Sequence, residues 1–226
     1  MDNHFEMGLD ELRQRLLLMA SRAETAVNKS VQALMQRNYD LALKVREEDD
    51  IIDQYEIEID DLAIQLLTKA PLASNLRLVT VAMKVSQNLE RIGDEATKIS
   101  KRARDLAQEP PVKIVLDLPR LAGLALAMVK DSLDAFVQRD PAIARTIVPR
   151  DKEVDALNRE MHNALAQHMM EHPDTIARCL HWIVAAKSLE RIADHAKNIA
   201  EEVVYLCEAQ DIRHNLKKEA PPSAAV

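Results

Sequence analysis

Four acidic residues in two nearly identical segments are the first candidates for chemistry in this chain. The segments LERIGDEATKI and LERIADHAKNI lie 100 residues apart and place Glu90 and Asp94 at the same positions as Glu190 and Asp194. In a helix, residues four apart lie one turn apart and about 40° around the axis, so each pair shares a face. Carboxylates gathered on one face can bind hard cations such as Mg²⁺, Mn²⁺ or iron ions.

A second acidic pair with the same spacing precedes each of these pairs. The additional acids are Asp49 and Asp53 in the first half and Asp151 and Asp155 in the second. Residue counts to the turns at Pro71 and Pro173 place both pairs of a half at about the same height on antiparallel helices. Four carboxylates repel one another unless a cation or water lies between them. The acids therefore predict two metal sites, with two acidic, solvated helix faces as an equally supported alternative.

Long amphipathic helices are needed to position these acids, and the sequence has their apolar period. Apolar residues recur at steps of three and four, which is typical of long helices packed at shallow angles. The two seams are Val85, Leu89, Ile92, Ala96, Ile99 and Ala103, and Ala185, Leu189, Ile192, Ala196, Ile199 and Val203. Relative to Glu90, its seam centres on the opposite side of the helix. We expect the acids to point away from their own bundle's core, or at most toward a groove beside it.

Turn and proline signals divide the chain into six helices. The predicted helices cover residues 6–36, 39–69, 73–107, 117–138, 140–171 and 174–209. The paired prolines of EPP, residues 109–111, give the strongest break, and short connections within each half make neighbouring helices antiparallel. With 3% aromatic residues and 3 glycines, the composition also argues against β-structure. The sequence predicts an all-α fold of two tandem three-helix bundles, at 1–109 and 112–215, with a disordered tail at 216–226.

Proline positions refine two of these helices. Asp140 is predicted to cap the fifth helix, with Pro141 at its first position, and Asp117 with Pro119 to start the fourth in a related way. Pro149 lies inside the predicted fifth helix and should kink or restart it.

Composition excludes several classes of function. A chain of net charge −7 without a basic cluster is a poor nucleic-acid binder. Cys179 and Cys207 are far apart and form no CxxC motif, so neither a disulfide framework nor a zinc knuckle is indicated. The first residues lack the features of a signal peptide, and the longest apolar run, residues 121–129, is too short to span a bilayer. We expect a soluble, cytoplasmic protein.

Motifs for catalysis are also missing from the sequence. No GxSxG, Walker A or dinucleotide-binding glycine pattern occurs. A di-iron carboxylate enzyme needs Glu-x-x-His on two helices, and no histidine has a glutamate three residues before it. His162 and His195 could complete a ligand set, although an ordinary surface role is the simpler interpretation. These features argue against an enzyme.

With these motifs in place, the chain resembles the PhoU family of phosphate-uptake regulators over almost its whole length. The likeness rests on LRLVTVAMKVSQNLERIGD at 76–94, VREEDDIID at 45–53, RDKEVD at 150–155, SLERIAD at 188–194 and QDIRH at 210–214. The resemblance implies two PhoU-type three-helix bundles with multinuclear metal clusters on their surface. One cluster would use Asp49, Asp53, Glu90 and Asp94, and the other Asp151, Asp155, Glu190 and Asp194. The metal implied is iron or zinc, or otherwise Mg²⁺ or Mn²⁺.

The resemblance also implies a function and partners. Members of the family are negative regulators of the phosphate starvation response that link the ATPase of the phosphate ABC transporter to a membrane-bound sensor histidine kinase. By this resemblance the chain is a non-enzymatic cytoplasmic adaptor that reaches the membrane only through its partners. Since amphipathic bundles often pair, a homodimer is expected. Two alternatives stay open: a metal-free helical scaffold, and a hydrolase that uses metal bound at the carboxylates.

The two motif copies differ in ways that bear on the metal sites. Glu95 stands where the second copy has His195, and Lys98 stands where it has Asn198. If the histidine or the asparagine assists a cluster, the two sites should differ in metal affinity. The exchange of Gly93 for Ala193 is expected to be mild on a helix.

Overall fold

All regular structure in the described residues is helical. The computed structural model of the protein describes residues 3–69 and 73–213, in which no strand occurs. The helices are α1 (Asn3–Gln36), α2 (Tyr39–Leu67), α3 (Ala73–Ala107), α4 (Leu118–Gln138), α5 (Pro141–Ile147), α6 (Asp151–Glu171) and α7 (Ile176–Glu208), with 3₁₀ turns at Val148–Arg150 and Pro173–Thr175. The predicted all-α class is confirmed.

The predicted fifth helix is interrupted at Pro149, as expected. α5 ends at Ile147, and the 3₁₀ turn that contains Pro149 leads into α6 at Asp151. At the start of α5, the Asp140 carboxylate accepts hydrogen bonds from the backbone N–H groups of Ala142 and Ile143, so the predicted N-cap is confirmed. Asp117 also occupies an N-cap position, but its side chain makes no capping hydrogen bond to α4.

The helices pack as two bundles that share one apolar core. α1, α2 and α3 contact one another, and α7 packs against α4, α5 and α6. All twelve residues of the two predicted seams are completely buried. α3 also packs along α7, and the buried apolar residues form one cluster that runs through both bundles. Burial of a large aliphatic side chain stabilises a fold by about 1.5–3 kcal/mol, so these seams fix how the acidic motifs are oriented.

Some predictions concern residues beyond the described part of the chain. The predicted tail at 216–226 and the turn at Pro71 lie outside the described residues, and the boundaries at 1–109 and 112–215 stay predictions. Within residues 3–69 and 73–213, every helix is too short or too polar to cross a membrane.

Candidate functional site

The first acidic group lies between α2 and α3. Asp49 and Asp53 of α2 are close enough to Asp94 of α3 for their charges to repel, and Asp94 acts in the same way on Glu90. Burial is the main cause that raises the pKa of Asp49, Asp53 and Glu90, and neighbouring carboxylates raise it further. The nearby hydroxyl of Thr97 partly offsets the rise in the pKa of Asp49. The four acids predicted for the first half are therefore neighbours.

Glu56 belongs to the same group, although the sequence analysis did not identify it. Its charge raises the pKa of Glu90, and its own pKa is raised by burial and then by neighbouring carboxylates. Glu56 lies three residues after Asp53 and seven after Asp49, so all three share a helix face. That spacing could have identified Glu56 from the sequence as a member of the acidic group. The matching position in the second half is Asn158, and the extra acid is therefore specific to the first group.

The second acidic group lies between α6 and α7. The carboxyl of Asp194 contacts that of Asp151, and burial, followed by repulsion from Asp151 and Glu190, raises the pKa of Asp194 to about 6. A hydrogen bond between two carboxyl groups needs a proton on one of them, which fits this raised pKa. Lys197 Nζ donates a hydrogen bond of 2.7 Å to Asp151 Oδ2. Three of the four predicted acids of this half are therefore neighbours.

The acids of the second group are more buried than expected. Asp151 is 8% exposed and Glu190 is 7% exposed, so neither carboxylate lies freely in solvent. Asp151 is the first residue of α6, and Lys197 holds it against α7. A carboxylate at that end also interacts favourably with the helix dipole. Asp155 is only partly buried, and it is not among the groups that shift the pKa of Asp194.

Buried oxygens in both groups fit a cation. Glu90 Oε2, Asp151 Oδ1 and Glu190 Oε2 are buried without an aligned hydrogen-bond donor. Arg91 lies 3.3 Å from Glu90 Oε2, and Lys187 is near Glu190 Oε2, but these contacts are ion pairs that lack hydrogen-bond geometry. A buried carboxylate oxygen without a donor is costly, and a metal ion would relieve that cost.

The observed side-chain positions do not yet form a coordination shell. Among the described residues, no three histidine, cysteine, aspartate or glutamate side chains are arranged to hold a metal ion. Carboxylates of like charge repel one another, so these side chains must reorient to share a cation. The carboxylate oxygens suit a hard metal ion, and their side chains would have to reorient to bind it.

Two of the positions at which the motif copies differ, Glu95/His195 and Lys98/Asn198, lie at the contact between the bundles. Glu95 is 4% exposed and accepts a hydrogen bond of 3.3 Å from Arg191 of the other half. His195 Nδ1 lies 3.0 Å from Asn88 Oδ1, and Asn198 Nδ2 donates to the same oxygen at 3.3 Å. The exchanges at these positions therefore alter the contact between α3 and α7. They do not supply ligands to the acidic groups.

Gly93 is also less interchangeable with Ala193 than expected. A Cβ atom at Gly93 would lie 2.9 Å from Ile52 Cδ1 and 3.3 Å from Asp49 Oδ1. The absence of a side chain therefore lets α2, with the Asp49 carboxylate, approach α3 closely.

These features define a duplicated helical bundle with a group of acids between two helices in each half. The family model described as PhoU domain matches residues 16–103 and again residues 118–203, and the chain belongs to the PhoU family. Each match contains one copy of the repeated motif.

Curated relatives and solved structures agree with this assignment. The phosphate-specific transport system accessory protein PhoU homolog of Pseudomonas putida is 41% identical over 93% of this chain and 83% of that protein. The accessory protein PhoU of Escherichia coli is 34% identical over 93% of this chain and 88% of that protein. The crystal structure of PhoU from Pseudomonas aeruginosa superimposes with a TM-score of 0.87 at 40% identity, covering 91% of this chain and 100% of that one.

Proposed function

We propose that the protein regulates phosphate transport as an adaptor that catalyses no reaction. The observation that carries the proposal is its similarity, over 93% of the chain, to proteins named as accessory proteins of the phosphate-specific transport system. The proposed regulation is negative: the protein represses phosphate uptake and the phosphate starvation response when phosphate is sufficient.

Two partners follow from this proposal. The protein would link the ATPase subunit of the phosphate ABC transporter to a phosphate-sensing histidine kinase. It would act in the cytoplasm as a homodimer and reach the membrane only through these partners. The length of α1, which extends over 34 residues, supports a docking role.

Metal binding at the acidic grooves is part of the proposal. Asp49, Asp53, Glu90 and Asp94 would hold one cluster, and Asp151, Asp155, Glu190 and Asp194 the other. Iron or zinc, or otherwise Mg²⁺ or Mn²⁺, would supply positive charge and open coordination positions for groups of a partner. The buried oxygens of Glu90, Asp151 and Glu190 support this assignment.

A repression assay tests the regulatory role and the grooves together. In a strain that lacks its own PhoU protein, the wild-type chain should restore repression of a phosphate-starvation reporter in high phosphate. Alanine at Glu90, Asp94, Glu190 and Asp194 should abolish repression and capture of the transporter ATPase. The control carries alanine at Glu153 and Glu160, two exposed acids of α6. If the fourfold variant represses and binds like the wild type, the grooves are not the working surface.

Two measurements separate this proposal from its alternatives. Elemental analysis of protein purified without chelator should find metal in simple ratio to the chain, and its absence would favour a metal-free scaffold. Incubation of metal-loaded protein with phosphate esters should give no turnover, because no nucleophile or base has been identified beside the acids. Turnover that is lost in the fourfold variant would instead support a hydrolase.

A further inference from the structure

A basic cavity lies beside the first acidic group, between α2 and α3. Its volume is about 310 Å³, and its lining includes four cationic side chains: Arg46, Lys98, Lys101 and Arg104. The expectation of a chain without a basic cluster is wrong at this cavity. Lys98, Lys101 and Arg104 follow at steps of three, which keeps them near one face of α3. These four cations make the cavity locally basic although the net charge of the chain is −7.

Two of these cations have no anionic partner among the described residues. Lys98 Nζ is paired with Glu95 Oε1 at 2.9 Å, and Arg104 lies 3.8 Å from Asp105. Neither Arg46 nor Lys101 makes an ion pair or side-chain hydrogen bond in the part of the chain that the structure describes. The net positive charge of the cavity therefore comes mainly from Arg46 on α2 and Lys101 on α3.

A hydroxyl group connects this cavity to the acidic group. Thr97 lines the cavity, and its Oγ1 is buried without an aligned hydrogen-bond partner. The same hydroxyl is near enough to Asp49 to lower the pKa of that carboxyl. Ser100 also lines the cavity, but its hydroxyl already donates to the backbone carbonyl of Ala42. The side chain of Thr97 thus lies between the basic cavity and the first acidic group.

The equivalent positions in the second half do not carry this set of cations. In the register that aligns Glu90 with Glu190, the positions of Lys98, Lys101 and Arg104 are taken by Asn198, Glu201 and Val204. In the register that aligns Asp49 with Asp151, Arg46 corresponds to Val148. The basic cluster is therefore specific to the first half.

We infer that this cavity binds an oxyanion of the phosphate class, either free inorganic phosphate or the phosphate group of a larger molecule. A planar guanidinium and an ammonium group that face one cavity suit phosphate oxygens, because arginine binds two of them at once and lysine adds a point charge. The volume exceeds what one phosphate needs and leaves room for a diphosphate. The site goes beyond the proposed regulatory function and does not depend on it.

Calorimetric titration with three anions tests the inference. Full-length protein is treated with chelator and dialysed, so that any anion bound through metal is removed, and is titrated with orthophosphate, pyrophosphate or ADP at constant ionic strength. Glutamine at both Arg46 and Lys101 should weaken binding at least tenfold. The control is Lys44→Gln, which removes an exposed charge of α2 that does not line the cavity and should leave affinity unchanged. Far-UV circular dichroism and the urea midpoint verify that each variant is folded.

Each outcome bears directly on the proposal. Binding of orthophosphate that the double variant loses supports a site for the free anion. Binding of pyrophosphate or ADP alone, again lost in the double variant, supports a site for a phosphate group within a larger molecule. No binding of any of the three by the wild type, or equal binding by the double variant, overturns the inference and leaves the regulatory proposal untouched.

Discussion

Arg191 of α7 donates a hydrogen bond of 3.3 Å to the buried carboxylate of Glu95 on α3 and so joins the two bundles. Lys98 donates to the same oxygen at 2.9 Å. Burial alone would raise the pKa of Glu95, but hydrogen bonds from Lys98 and Ser188 and the charge of Arg191 hold it below its usual value. The equivalent position in the second motif copy is His195, whose pKa is lowered by burial. The two motif copies therefore place different titratable groups at the contact between α3 and α7.

Arg191→Ala should reduce stability by about 1–2 kcal/mol at pH 7, because Glu95 then keeps only part of its charged hydrogen bonding while it stays buried. The free energy of unfolding in urea measures this loss. Since the folded pKa of Glu95 is depressed, the stabilisation is present above the ordinary carboxyl pKa and disappears as the pH falls through the folded value.

The control for this contact is Arg159→Ala, which removes an exposed arginine of α6 without a partner among the described residues and should change stability by less than about 0.5 kcal/mol. Equal losses for the two variants would show that the Arg191 contact contributes nothing beyond an ordinary surface charge.

Helix capping distinguishes two aspartates of the second half. Asp140 accepts hydrogen bonds of 2.8 and 3.1 Å from the N–H groups of Ala142 and Ile143. Asp140→Ala should cost about 1 kcal/mol, whereas Asp117→Ala should cost only a few tenths, because the Asp117 side chain caps nothing. Thermal midpoints of both variants compare the two positions under the same conditions. A larger loss at Asp117 would mean that its side chain caps α4 in solution.

Two helical glycines should respond in opposite ways to alanine. Gly123 of α4 has open space around its missing Cβ, so Gly123→Ala should stabilise the protein by roughly 0.5–1 kcal/mol through helix propensity. At Gly93 the same gain is opposed by contact with Ile52 and Asp49, and Gly93→Ala should show little or no gain. Urea unfolding of the two variants, side by side, measures the difference. Equal stabilisation would mean that α2 moves away from α3 without cost.

The helical framework could be predicted because its determinants are local. The three-and-four apolar period selects the buried face of each helix, and the interruption at Pro149 follows from a ring that lacks an N–H and clashes with the preceding turn. The predicted seams are buried completely for this reason. The acidic groups could be placed because equal residue counts on either side of a short turn bring helix positions to equal heights.

Features that depend on packing between residues far apart in the sequence could not be predicted in the same way. Glu95 and Lys98 look like an ordinary surface pair in the sequence, and only the packing of α3 along α7 buries the acid. The burial of Asp151 likewise depends on its contacts with Lys197 and Asp194 of α7. The basic cavity could not be predicted because Arg46 is distant in the sequence from the cations of α3, and the net charge of the chain is negative.

The contact between Asp194 and Asp151 should make the metal-free protein less stable as the pH rises. The folded pKa of Asp194 is about 6, against 3.8 for the free side chain. Between these values the folded state keeps a proton that the unfolded state has lost, so stability falls across this range and stays lower above it. Asp194→Asn preserves the shape of the side chain without its charge.

After chelator treatment, Asp194→Asn should therefore be more stable than the wild type by about 1–2 kcal/mol at pH 7.5, after allowance for solvent screening, and indistinguishable from it near pH 4. Urea unfolding at both pH values measures the gap, with Glu160→Gln, an exposed acid of α6, as the control. A cation that binds the groove should reverse the order at pH 7.5, because it stabilises only the wild-type carboxylate. A gap of equal size at both pH values would attribute the effect to packing and not to the shared proton.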